Sequence, residues 1–130
     1  MNPHGAHLTI DLQAIAENWR LLQKLGAGAE CAAVVKADAY GTGLEHTRRA
    51  LARAGCRTFF VAHIGEGQRL RSVLPGATIY ILNGFPEGSA PLYMADQLRP
   101  VLGTQEEINE WAAFNKAQSL SGEAACLLYT

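Results

Sequence analysis

The sequence predicts an α/β protein built on a parallel sheet, and three observations carry that expectation. Short, almost wholly apolar runs recur along the chain, as in CAAVV (Cys31–Val35) and TFFVAH (Thr58–His63). A strand without polar alternation is one covered on both faces, as in parallel sheets. Segments with apolar residues three and four apart separate these runs, and glycine or proline punctuates most junctions.

The elements follow in order. Residues 7–10 read as a short strand. Asp11 is a good N-cap for a helix with Leu12, Ile15, Trp19 and Leu22 at helical spacing, ended by Gly26 and Gly28. After strand Cys31–Val35, a helix runs from Leu44 to Ala54 and closes at Gly55. Strand Thr58–His63 leads into helix IGEGQRLRSVL, stopped by Pro75 and Gly76. A third strand spans Thr78–Gly84, and a Pro/Gly-rich loop and a short helix over Ala90–Asp96 follow. RPVLG is a fourth strand. Thr104 and Glu107 have capping-box spacing before a helix carrying Ile108, Trp111 and Ala112. ACLLYT, Ala125–Thr130, is a fifth strand. Strands alternating with helices imply βαβ units. Two architectures satisfy this order: an open doubly wound sheet, or the front half of a (β/α)8 barrel, which takes about 250 residues.

Composition narrows the function classes. The 130 residues are 48% hydrophobic and 18% charged, which excludes a disordered or fibrous chain. A formal net charge of -1 gives no footprint for nucleic acid or an anionic membrane. No apolar run approaches a membrane span, and the N-terminus lacks a signal-peptide pattern, so a cytoplasmic protein is expected. The basic run Arg48–Arg57 reads as a solvated helix face. Cys31, Cys56 and Cys126 are odd in number and fit packed, reduced thiols. No CxxC or HxxxH spacing exists, so no metal site is expected.

Chemistry concentrates in AVVKADAYGTG, Ala33 to Gly43. Lys36 stands where a strand ends and its βα loop begins, the place where both architectures bind ligands. A lysine partly buried there loses hydration, which disfavours its charged form. A neutral amine is a nucleophile toward aldehydes. Gly41 and Gly43 permit close backbone approach before a helix N-terminus that favours anions, and Tyr40 offers a hydroxyl. A lysine, a tyrosine and a glycine-flanked helix start suit a phosphorylated aldehyde. The plain structural alternative is a lysine reaching into solvent beside ordinary glycine punctuation. Neither the Walker A pattern nor GxGxxG is present.

VVKADAYGTG closely resembles the cofactor-lysine signature of the alanine racemase family, K-A-[DN]-A-Y-G-x-G. The resemblance extends to LTIDLQAIAENWRLL, FFVAHIGEGQRLR, ILNG and LRPVLGTQEEINEWA, and so covers essentially the whole chain. It implies the N-terminal part of a (β/α)8 barrel, with four to five βα units over residues 11–130. It also implies that residues 1–10 supply a strand pairing with a C-terminal β domain. Lys36 is implied as the residue that binds pyridoxal 5'-phosphate and as the base on the D-alanine side; Tyr40 is implied as a donor to the cofactor phosphate. Thr42 stands where the family often has histidine. The implied activity is two-base racemisation of L- and D-alanine in a homodimer, supplying D-alanine for the cell wall. The second base, a tyrosine of the partner's C-terminal domain, is not in this sequence. The chain is therefore expected to be truncated and inactive alone. The competing readings are a serine or broader racemase of the same fold, a non-catalytic α/β fragment, and a small binding domain.

Other residues read as structural. His63 is a wall residue, Glu66 a first-turn carboxylate favoured by the helix dipole, and Asp38 a binder of loop backbone. Trp19 and Trp111 read as packing. One of Tyr80 and Asn83 is a candidate to face the cofactor.

Overall fold

The computed structural model describes residues 5–118 and 126–128. Helix α1 (Leu12–Leu25) precedes strand β1 (Ala33–Val34) and a single turn, α2 (Lys36–Tyr40). Then come α3 (Leu44–Ala54), β2 (Thr58–Val61), α4 (Ile64–Val73), β3 (Thr78–Ile81), α5 (Ala90–Ala95), β4 (Arg99–Leu102), α6 (Gln105–Ala117) and β5 (Leu127–Leu128).

All strand pairs are parallel, and the strands lie in chain order from β1 to β5. That order decides between the two architectures. A doubly wound sheet reverses direction at a switch point, whereas a barrel adds each strand beside the last. The fold is α/β, the N-terminal part of a (β/α)8 barrel.

The strands are shorter than the apolar runs that announced them, but pairing outlasts the regular ladder. Val35 N–H still donates to Phe60 O at 2.8 Å, and Leu82 and Asn83 N–H donate to Val61 and Ala62 O at 2.9 Å each. Two expectations fare differently. Residues 7–10 form no strand: a strand needs a ladder partner, and none of the described segments pairs with them. Of Ala125–Thr130, Leu127–Leu128 is strand and the rest lies largely outside the described residues.

The core sits between sheet and helices. Phe59, Val61, Ile79 and Ile81 alternate along β2 and β3 and are fully buried under the helices, together with Val35, Leu70 and Tyr93. The opposite, concave face carries Val34, Phe60, Tyr80 and Arg99, in register across β1 to β4. Phe60 and Tyr80 stack with centroids 4.9 Å apart, and Arg99 lies over the Tyr80 ring and donates to its hydroxyl at 3.2 Å. Phe60 and Tyr80 are only half-buried, so one face of the sheet is covered rather than the two that an apolar run implies.

Asp11 caps α1 as expected, accepting from Gln13 and Ala14 N–H at 2.9 and 3.0 Å. Trp19 donates to Cys31 O at 3.0 Å, tying α1 to the entry of β1. The solvated-face reading of Arg48 does not hold. Its side chain is only 6% exposed, and its guanidinium pairs with both carboxylate oxygens of Glu45 one turn earlier. Arg48 shares the buried side of α3 with Thr47 and Leu51, which a count of charges along the segment does not reveal.

Arg71, on α4, ties two connections together. Nη1 donates to the carbonyls of Leu74, Pro75 and Ala77, Nε to Asp96 O, and Nη2 to Gln97 O at 2.6 Å. A lysine has three donors on one atom and cannot span this fan. Arg71→Lys is expected to destabilise by about 2 kcal/mol, because half-buried carbonyls lose charged donors. Urea unfolding checks this, and an unchanged midpoint would refute it.

Glu107 completes a capping box with Thr104 at the start of α6. Its carboxylate accepts from Gly103 N–H at 2.7 Å, Thr104 N–H at 3.2 Å and Phe85 N–H at 3.1 Å. The Gly103 bond and its neighbours outweigh burial and hold the carboxyl below its ordinary 4.5. A depressed folded pKa stabilises above the unfolded value and is lost as pH falls through the folded one. Glu107→Gln is expected to destabilise by about 1 kcal/mol at neutral pH and to weaken the acid dependence of Tm below 4.5. Identical acid dependence in parent and variant would count against this.

Candidate functional site

The site begins where β1 stops. Val35 is buried and its N–H is held by β2, so the chain enters the next residue from a fixed direction. Lys36 follows at once, past a Val35 whose φ of -127° and ψ of 26° have already left the strand. Lys36 is half-buried. Its amine has no hydrogen bond or ion pair among the described residues. An amine in that state is available to an incoming carbonyl compound.

The segment after it departs from the expected glycine turn. Ala37, Asp38 and Ala39 have φ of 51°, 53° and 54°, and Tyr40 has φ of 56°. Four non-glycine residues in succession therefore turn with left-handed twist before Gly41 at φ 80°. Such a conformation costs on the order of 1–2 kcal/mol per residue, so the surroundings must hold it. Asp38 does so as expected for a loop-binding aspartate: its carboxylate accepts from Leu44 N–H at 2.8 Å, and its carbonyl accepts from Gly43 N–H at 3.0 Å. Thr42 donates its hydroxyl to Ala39 O at 2.6 Å and meets Thr47 Oγ1 at 3.0 Å. The turn also throws Tyr40 outward; it is 63% exposed.

Glu66 is the residue that sequence reasoning missed. It belongs to the first turn of α4, as read, but its carboxylate does more than face a helix dipole. Oε2 accepts from Ala62 N–H at 2.7 Å and His63 N–H at 3.2 Å, while Oε1 accepts from Ala37 N–H at 2.8 Å. Burial alone pushes its pKa up, but the bonds from Ala37, Ala62 and His63 prevail and hold it below the ordinary carboxylate value. The signal available in the sequence was the offset of Glu66 from the strand end, the same offset that Glu107 has from β4.

His63 is exposed, with Nε2 3.4 Å from Asn83 Nδ2. Tyr80 is committed to Phe60 and Arg99. Trp111 is buried against Phe85, Tyr93 and Phe114. Burial pushes the Cys56 thiol up to about 11, which suits a packed, inert side chain. Among the described residues no three His, Cys, Asp or Glu side chains gather as a metal site would need. No helix among them is long and apolar enough to cross a membrane.

The chemistry of the site fits pyridoxal phosphate: an unpartnered, half-buried amine for the aldehyde, and a hydroxyl within the same turn for the phosphate. Residues 10–126 match the family described as alanine racemase, N-terminal domain. The chain is 64% identical over 117 residues to an alanine racemase of Methylobacterium sp. (strain 4-46), covering 90% of this chain and 32% of that protein. It is 42% identical to an alanine racemase of Rhizobium meliloti, covering 96% of this chain and 32% of the relative. Among solved structures, alanine racemase from Bartonella henselae with covalently bound pyridoxal phosphate superposes with a TM-score of 0.81 at 41% identity, covering 85% of this chain and 31% of that one. The enzyme from Streptomyces coelicolor A3(2) gives 0.77 at 30% identity, covering 92% and 32%. The chain thus spans about a third of the length of the curated relatives it matches. With its sequential parallel strands and, at the end of the first, a lysine without a hydrogen bond among the described residues, this chain belongs to the alanine racemase family and matches its N-terminal domain.

Proposed function

We propose that this chain supplies the cofactor-binding lysine of a pyridoxal-phosphate-dependent enzyme that interconverts L- and D-alanine. The observation that carries the reading is Lys36, an unpartnered amine at the end of β1 in a chain 64% identical to an alanine racemase. The Bartonella henselae relative, which holds its pyridoxal phosphate covalently, supports the cofactor.

Bound pyridoxal phosphate supplies an electron sink for the charge left when the α-proton departs. Lys36 Nζ would hold the cofactor at its aldehyde carbon, and its amine would take or return the proton at the substrate α-carbon on one face. The Tyr40 hydroxyl would donate to the cofactor phosphate. Racemisation needs a second base on the opposite face, and we assign it to a tyrosine of the partner subunit's C-terminal domain, outside these residues. Leu8 and Ile10, two apart and exposed, suit a strand that pairs with such a β domain. A homodimer in the cytoplasm, making D-alanine for the cell wall, completes the reading.

Borohydride reduction of the full protein with pyridoxal phosphate, followed by peptide mapping, tests it. The adduct is expected on Lys36 and to vanish in Lys36→Ala, with racemisation lost by at least about a thousandfold. An adduct confined to Lys24 or Lys116 would refute the assignment. Tyr40→Phe is expected to weaken cofactor retention about tenfold, the worth of one hydrogen bond to a charged group, as read by dialysis against phosphate buffer. The 130-residue chain by itself is expected to show no racemisation, and measurable interconversion by it would refute the two-base reading.

A further inference from the structure

We propose that Glu66 is a positioning residue for Lys36: its carboxylate fixes the peptide that follows the lysine and so sets where the amine can reach. The inference deepens the reading above and rests on it for the role of Lys36.

Two points fix a side chain's origin in space, one on each side of its Cα. On one side, Val35 N–H is held by Phe60 O at 2.8 Å. On the other, Ala37 N–H is held by Glu66 Oε1 at 2.8 Å, a contact between residues 29 apart in sequence. No other bond among the described residues is made by the Ala37 N–H, and Ala37 is the first left-handed residue of the turn. The clamp therefore acts where the chain leaves ordinary backbone geometry. The other carboxylate oxygen is fixed in turn by Ala62 and His63 N–H, at the end of β2. A glutamine has one acceptor oxygen and one NH2, so it cannot serve both sides; the NH2 would confront an N–H.

The molecule contains its own control. Glu107 makes the same arrangement two βα units later, bonding Gly103 and Thr104 N–H on its own strand end and Phe85 N–H in the loop after β3. Losing either clamp loosens one loop over the sheet, but only Glu66 touches the residue after Lys36. A merely structural role predicts the same consequence for Lys36 in both variants.

The test uses the full protein freed of cofactor and labelled with trace acetic anhydride, comparing Lys36 with Lys24 and Lys116, both of which are exposed. Glu66→Gln is expected to raise Lys36 labelling relative to those two about tenfold, the factor that goes with losing one hydrogen bond to a charged group. Glu66→Asp keeps the charge and the helix cap but falls short of Ala37; it is expected to act the same way and covers the case of a glutamine variant that does not fold. Glu107→Gln is expected to leave the ratio unchanged. With pyridoxal phosphate and borohydride, adduct formation at Lys36 is expected to slow in both Glu66 variants and not in Glu107→Gln. An unchanged labelling ratio in the Glu66 variants, or an equal change in Glu107→Gln, overturns the proposal. A parent protein that follows the labelling pattern but forms no adduct at Lys36 overturns the cofactor reading and leaves the positioning role standing.

Discussion

The left-handed turn from Ala37 to Tyr40 is the constraint on which the site depends. Four non-glycine residues do not adopt that twist by preference. Each contact around them offsets part of its strain: Asp38 bonds forward to α3, Thr42 bonds back to Ala39, and Glu66 holds the entry. The consequence is geometric. A right-handed turn here would extend Lys36 into an ordinary helix and carry the following residues along its axis. The opposite twist ends the element at once, and Gly41 and Gly43, both at positive φ, return the chain to the start of α3.

The same economy recurs around the sheet. Helices α4 and α6 each place a glutamate in their first turn, and each glutamate bonds its own strand end and the loop of the preceding strand. Short strands of two to four residues contribute little ladder of their own. Side chains that reach across loops replace what the ladder lacks. Arg71 plays the corresponding part beneath, where its guanidinium gathers carbonyls from the connections after α4 and after α5.

Much of the architecture was legible. Apolar runs located the strands, Asp11 and Thr104 located helix starts, and the sequence motif singled out Lys36. These features are local: each depends on residues within a few positions of one another. What was not legible is conformational or long-range. ADAY contains no glycine, so nothing in it announces positive φ. The Glu66 contact joins residues 29 apart, and its reason lies in the fold rather than in either residue's neighbours. The burial of Arg48 likewise depends on the side of α3 that faces inward. Residues 7–10 alternate like a strand, yet alternation states only a capacity to pair.

The sheet face that begins at Val34 is aromatic and cationic. Val34, Phe60, Tyr80 and Arg99 stand side by side across four strands, the rings stacked and the guanidinium laid over one of them. Any molecule that settles on this face of the described strands meets aromatic rings and a fixed positive charge before it meets backbone.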